Sequence, residues 1–297
     1  MYKAFFGFSG SPFNMSPDPS FLFRSTQHEE ALANLMYGVQ SRKGFVVLTG
    51  EVGTGKTTML ECLRDFLSSQ QITYASLFNS RLSVEQFFEM IAYDFGLRCT
   101  RTSKTEVLIA LNEMIIERAN QGRTTVLIVD EAHNLEWDVL EEIRLLGNLE
   151  NRRGKMLQIL LAGQPELDRK LEAPEFRQLK QRIALRCLLQ PFQLEESLEY
   201  IQSRLTRAGM KDQSVFPPEV LREIHFRTQG IPRVINAMCD NLLLTAFALE
   251  TKVVTMPMVD EVATDLRLQM PGQRPFLADG NYAERTMRDQ RQYTPGD

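Results

Sequence analysis

Gly50-Glu51-Val52-Gly53-Thr54-Gly55-Lys56-Thr57 decides the fold of this 297-residue chain. The stretch satisfies G-x-x-x-x-G-K-[ST] at every fixed position, and both flanks agree with it. Ahead of it, Phe45-Val46-Val47-Leu48-Thr49 is a β-branched and aromatic run that reads as a buried strand. Behind it, Met59, Leu60, Leu63, Phe66 and Leu67 fall at helical spacing. A strand, a glycine-rich turn and a helix are the parts of a phosphate-binding loop. The glycines let the backbone curl until its N–H groups face a β-phosphate, and the helix N-terminus adds partial positive charge. Residues 50–55, with Lys56, Thr57 and Thr58 opening the helix, therefore read as the binding set for a nucleoside triphosphate. Lys56 bridges the β- and γ-phosphates, and the Thr57 hydroxyl ligates magnesium.

The second half of the site lies about 75 residues on, in Thr124-Thr125-Val126-Leu127-Ile128-Val129-Asp130-Glu131. An apolar strand rarely ends on two acids unless a cation or a reaction uses them, because desolvating carboxylates is costly. Asp130 is the expected partner of the magnesium at Thr57. Glu131 is placed to polarise the attacking water as general base, which makes hydrolysis of ATP the expected activity. Asp130-Glu131-Ala132-His133 also spells a helicase box. Such helicases need two α/β nucleotide domains, whereas these 297 residues hold one phosphate loop.

Composition is that of an ordinary globular chain, with 43% hydrophobic and 24% charged residues. A net charge of −4 argues against dependence on bulk attraction to nucleic acid or anionic lipid. Cys62, Cys99, Cys187 and Cys239 are scattered, without a C-x-x-C pair, and read as reduced core thiols. The first ten residues are broken by glycines and followed by Pro12, so they make no signal sequence, and no apolar run is long enough to span a bilayer. No direct membrane insertion is expected.

Strands are expected at 72–79, at 124–131, at 156–164 and near 185–189, with helices at 84–95, 104–120 and 140–149 between them. Such alternation demands a mainly parallel sheet covered on both faces. From Glu195 the pattern is helical throughout, at 195–207, 218–227, 231–249 and 256–268. The expected organisation is an N-terminal aromatic segment and adenine-side helix packing on the core (1–40), an α/β nucleotide core (41–190), a helical lid (191–269) and a disordered tail (270–297). Phe5, Phe6, Phe8, Phe13, Phe21 and Phe23 are expected to pack across the core's edge, and Phe87, Phe88 and Tyr93 to be core by helical spacing. His133 and Trp137 are candidates for contact with a neighbour or partner.

An α/β nucleotide domain followed by a small helical lid resembles the AAA+ ATPases, a P-loop NTPase fold with a three-layer parallel-sheet domain. That resemblance assigns roles to four positions. Gln164 ends the strand after the Asp130 strand, at the polar sensor-1 position. Arg182, before the last strand, stands where the family has its arginine finger. Arg233, in Gly230-Ile231-Pro232-Arg233, matches the sensor-2 signature. Asn79 stands where a polar residue holds the general base off-line. A bidentate cation suits a γ-phosphate that gains charge in the transition state.

More narrowly, residues 1–268 resemble the general secretion pathway protein A, or ExeA-type, branch of that family. The residues that carry this are Phe6-Gly7-Phe8, Pro12-Phe13, Pro17-Asp18-Pro19, Phe21-Leu22-Phe23 and His28-Glu29-Glu30-Ala31-Leu32. The phosphate loop, Asp130-Glu131-Ala132-His133-Asn134-Leu135, Ala162-Gly163-Gln164-Pro165-Glu166-Leu167 and Gln181-Arg182-Ile183 join them. The resemblance implies an adenine lined by residues 17–32, and an ATP-dependent dimer or ring in which Arg182 reaches a neighbour's nucleotide. It implies a protein partner in an envelope export, pilus or exopolysaccharide/exosortase-type system. The expected location is the cytoplasm, or the inner membrane periphery through that partner. Membrane-bound relatives continue into a transmembrane helix and a peptidoglycan-binding domain, which this sequence does not carry. The alternative is a DNA-associated ATPase such as a transposition target selector or loader. For that reading, residues 152–186 hold nine Lys/Arg against four Asp/Glu, although the lid has no basic recognition helix.

Overall fold

The computed structural model describes residues 2–14, 23, 25–78, 81–97, 103–152, 154–210 and 215–268. Asn79, Cys99, Phe21 and the stretch 270–297 lie outside them. Five parallel strands form one sheet: β1 (Phe45–Gly50), β2 (Thr73–Leu77), β3 (Thr125–Val129), β6 (Leu157–Gly163) and β7 (Ile183–Leu189). Their order across it is β2-β3-β6-β1-β7. The three central strands, β3, β6 and β1, are buried along their whole length, which is why each reads as an unbroken apolar run. The edge strand β7 alternates buried with exposed positions, so its sequence signal is weaker.

Helices α4 (Val84–Asp94), α5 (Lys104–Asn120), α6 (Trp137–Leu146) and α7 (Pro165–Glu172) cover one face of the sheet. Helices α2 (Thr26–Gln40) and α3 (Lys56–Ser69) cover the other, giving three layers. Ser83, with Gln86, closes a capping box at the start of α4. Phe87 and Phe88 are fully buried there, but Tyr93 is 88% exposed. The face built by positions 87, 88 and 91 turns Tyr93 outward, which corrects its expected core placement.

Helix α6 begins and ends three residues earlier than the sequence pattern indicates. Trp137 stacks on Phe176 at 4.6 Å, and the chain turns at Gly147 so that Leu149 leads into a short antiparallel hairpin. Its strands are β4 (Glu150–Asn151) and β5 (Gly154–Lys155). The one-turn helix α8 (Arg177–Lys180) then leads into β7.

Beyond Pro191, helices α9 (Leu194–Arg207), α10 (Pro218–Thr228), α11 (Pro232–Ala248) and α12 (Met256–Asp265) pack around Ile201, Ile224, Met238 and Leu242. Phe8 and Phe13 belong to this helical core, 7% and 1% exposed, and not to the edge of the sheet. The N-terminal helix α1 (Tyr2–Phe6) lies on α11, where Phe5 meets Phe247 and the Tyr2 hydroxyl donates to Asp240. Ser9 N and Arg204 Nη1 fasten the backbone at Ala208 and Pro12. The aromatic segment thus belongs to the lid, and only α2 follows the expected packing on the core. The sheet face is already covered by α2 and α3, and Phe8 and Phe13 add to the apolar core of the lid.

Truncating Phe13 should therefore unfold the lid before the sheet. Phe13→Ala is expected to cost about 3–5 kcal/mol, the range for a buried aromatic. Hydrogen exchange of α9 and α11 measures this, with β3 and β6 unchanged.

Candidate nucleotide-binding site

All the acids and the loop gather at one end of the sheet, because parallel strands bring their C-termini to the same side. Strands β1, β6 and β3 are neighbours, so Gly50, Gln164 and Asp130 follow adjacent strand ends. The loop leaves β1 through Gly50, where an added Cβ would lie 2.6 Å from the Leu189 carbonyl oxygen. Gly53 and Gly55 hold φ of 85° and 104°, the left-handed region that side chains resist. Thr54 Oγ1 donates to the Glu51 carbonyl at 2.9 Å and tightens the curl.

Lys56 opens α3 and turns back into the loop, where Nζ donates to the Gly50 carbonyl at 2.6 Å and to that of Glu51 at 2.9 Å. Burial pulls its pKa down, opposed by the charges of Glu131, Asp130, Glu51 and Glu166. Thr57 is exposed beside it at the first turn, and Thr58 is half-buried.

Asp130 is 6% exposed, and burial raises its pKa, partly offset by the hydrogen bond its Oδ1 accepts from Glu131 N at 2.8 Å. Glu131 adopts φ 52° and ψ 33°, a left-handed conformation that costs a non-glycine residue of order 1 kcal/mol. His133 Nδ1 accepts from Gln164 N at 3.3 Å and lies 3.4 Å from the Glu131 carboxylate, to which a lone-pair-bearing nitrogen makes no hydrogen bond. Lys170 Nζ donates to the carbonyls of His133 and Leu135 at 3.0 and 2.6 Å, clamping this turn to α7. His133 is thus bonded within its own chain to the start of α7, by its ring to Gln164 N and by its carbonyl to Lys170.

Arg233 reaches the same end of the sheet from the lid. Its backbone N donates to the Gly53 carbonyl at 3.2 Å, and a Cβ on Gly53 would lie 2.8 Å from its own Cβ. Arg182 does not join this group. It precedes β7, whose Ile183 pairs with Phe45, so it sits at the opposite end of the sheet. There its Nη1 donates to the Arg144 carbonyl at 2.9 Å.

Four of the nine cations of the stretch 152–186 are paired with acids. Arg186 pairs with Asp168 at 2.8 Å, Arg169 with Glu166 at 3.5 Å, Lys180 with Glu172 and Lys155 with Glu150. No group of three or more His, Cys, Asp or Glu side chains that could hold a metal occurs among the described residues. A divalent ion here would share its shell with phosphate oxygens, which suits the hydroxyl and single carboxylate of Thr57 and Asp130. The glycine cradle and the buried ammonium fit a polyphosphate. Among the described residues no helix is long and apolar enough to cross a membrane.

Sequence reasoning missed the chemistry of His28, buried at 4% exposure against the loop. Its ring nitrogens lie 2.8 Å from Ser25 Oγ and 3.1 Å from the Thr54 carbonyl oxygen. The Ser25-x-x-His28 spacing marks a helix start, but nothing local announces a contact 26 residues away.

Residues 39–171 match the family model described as an AAA domain. Over 250 residues the chain is 42% identical to general secretion pathway protein A of Aeromonas hydrophila, a match covering 84% of this chain and 45% of that protein. The chain thus spans about half the length of that relative. Among solved structures it superposes on Cdc6p from Pyrobaculum aerophilum with a TM-score of 0.66 at 20% identity, covering 84% of this chain and 70% of the other. The ORC2 protein of Aeropyrum pernix gives 0.62 at 16% identity, covering 87% and 72%. The RuvB Holliday junction branch migration motor of Thermotoga maritima gives 0.56 at 16%, covering 84% and 72%. These likenesses establish the fold. With the strand-end geometry, the domain match and the 42% identity, the chain belongs to the AAA family, on the branch of general secretion pathway protein A.

Proposed function

We propose that this chain is an ATP-hydrolysing AAA+ protein that assembles or powers an envelope export, pilus or exopolysaccharide/exosortase-type system, together with a protein partner of that system. The observation that carries the enzymatic part is the desolvated Lys56 in its glycine loop, facing the charges of Asp130 and Glu131 at the end of β3 across β6. The likeness to general secretion pathway protein A supports the envelope role. On this reading the protein works in the cytoplasm or at the inner membrane periphery.

When nucleotide binds, Lys56 exchanges the Gly50 and Glu51 carbonyls for β- and γ-phosphate oxygens. Thr57 and Asp130 would hold a magnesium ion, which when bound would neutralise phosphate charge. Glu131 takes the proton of the attacking water, and Gln164, which follows the neighbouring strand β6, orients that water. Arg233 brings a guanidinium from the lid to the γ-phosphate. Arg182, at the far end of the sheet and bonded to Arg144, serves a neighbour's nucleotide in an ATP-dependent dimer or ring.

A second reading, a DNA-associated ATPase such as a transposition target selector or loader, is favoured by one feature. Arg42, beside Gly154, and Lys155, beside Gly44 and paired with Glu150, lie at the end of the sheet away from the nucleotide, with Arg42 Nη2 bonded to the Gly122 carbonyl at 2.8 Å. Solved relatives of similar fold include a Drosophila ORC bound to DNA. Duplex DNA that binds at low salt and stimulates hydrolysis would favour this reading over the first.

Lys56→Ala is expected to lose nucleotide affinity, as measured by titration with a fluorescent ATP analogue. Wild-type affinity in that variant would place the site elsewhere. Glu131→Gln should still bind ATP and magnesium but hydrolyse on the order of 10²-fold more slowly. Equal loss of binding would make Glu131 a metal ligand instead.

Shared sites make a further prediction. Hydrolysis per subunit should rise with protein concentration, and Arg182→Ala chains mixed with Lys56→Ala chains should regain activity that neither has alone. Concentration-independent hydrolysis by a monomer, without regain on mixing, would leave Arg182 a residue of its own subunit only.

A further inference from the structure

His28 is a buried titratable group that the hydrolytic reading leaves unused, and its surroundings determine its chemistry. A backbone carbonyl only accepts, so the 3.1 Å contact with Thr54 requires a proton on Nε2. Burial holds the imidazole pKa below its ordinary value, opposed by the Thr54 bond and the charge of Glu196. The ring is therefore neutral, Nδ1 carries a lone pair, and the Ser25 hydroxyl donates to it at 2.8 Å. Ser25 also caps α2 by accepting from His28 N at 3.4 Å. Every polar atom of the pair is thus used, and the ring is fixed relative to the phosphate loop. A Cβ on Gly55 would lie 3.2 Å from Nε2, so the imidazole packs against the loop backbone itself.

The same ring packs against Phe192, centroid to centroid at 5.4 Å. Phe192 is 3% exposed and sits at the passage from sheet to lid, between β7 and α9. Its N–H donates to the Gly230 carbonyl at 2.9 Å, and a Cβ on Gly230 would lie 2.1 Å from its carbonyl oxygen. Gly230 holds φ of 70° and leads directly into Pro232 and Arg233, whose N–H returns to the loop at Gly53. The contacts close a circuit from Thr54 through His28, Phe192, Gly230 and Arg233 to Gly53, next to where it began. Tyr200 and Phe23, at 5.1 and 5.5 Å from Phe192, join that circuit to the lid's aromatic core.

We propose that His28 is a positioning residue that joins the phosphate loop to the lid through Phe192, so that loop conformation and lid position are set together. This rests on the nucleotide reading above. Displacing the lid moves Phe192 against the imidazole, and the imidazole holds the carbonyl of Thr54, two residues before Lys56. Conversely, a loop reshaped around phosphates shifts the ring on which Phe192 rests. Arg233 alone would join lid to loop at one point, whereas two adjoining attachments fix an orientation.

The test uses the full chain with fluorescent ADP and magnesium, read by anisotropy, together with hydrogen exchange of the first turn of α11. In the wild type, ADP should slow that exchange. His28→Ala should weaken ADP binding about tenfold or more and abolish the slowing, since it leaves the Thr54 carbonyl and the Ser25 hydroxyl unpaired. His28→Gln, whose amide N–H can donate to Thr54, should stay within a few-fold of wild type. Phe192→Leu should bind ADP but lose the slowing in α11. A folded His28→Ala chain with wild-type affinity and wild-type slowing would overturn the inference alone, as would His28→Gln failing as badly as His28→Ala. A wild-type chain that binds no ADP would overturn the nucleotide reading and this inference with it.

Discussion

The ammonium of Lys56 is the constraint around which the rest is built. A cation buried at the end of an apolar sheet is stable only if oxygen atoms surround it, and two sources supply them here. The curled loop turns the carbonyls of Gly50 and Glu51 inward, and strand β3 ends on acids. The curl demands glycine at Gly53 and Gly55, and the acids demand that β3 lie one strand away across β6. Loop, strand order and acidic strand end answer the same electrostatic requirement.

That requirement also explains the mutual bracing of the site. Asp130 is uncomfortable in its charged form, since burial raises its pKa, and Glu131 is held in a left-handed conformation. Asp130 is held by its backbone bond to Leu77, and the turn after Glu131 is held from outside by Gln164 N and Lys170. Strain and desolvation of this kind persist only where surrounding bonds over-determine them, which is why they collect where chemistry is done.

What the sequence made legible was local. The loop, the central strands and the main helices of both parts are written in patterns a few residues long, and the structure has them nearly where those patterns end. The misreadings depended on contacts across the chain. Phe8 and Phe13 carry no mark of whether they pack on a sheet or on helices from the far end of the chain. Tyr93 has the hydrophobicity of a core residue but the wrong angular position on α4. His28 was visible only as part of a motif, because its partners, Thr54 and Phe192, come together through the tertiary fold. The cations of 152–186 looked like a basic face in one dimension, and their acid partners from α7 became apparent only in three.

The attachment of α1 to α11 carries a mechanical consequence. Tyr2, Phe5 and Phe8 are secured to the lid and not to the sheet, although α2 and β1 follow them in the chain. The described chain therefore packs first on the helical lid, reaches the sheet domain by Ser25, and returns to the lid at Phe192. Anything joined ahead of Tyr2, whether a fusion, a fluorophore or a docking protein, would be carried by the lid and not by the sheet. Force or bulk applied there would reach the nucleotide site by way of the helical lid.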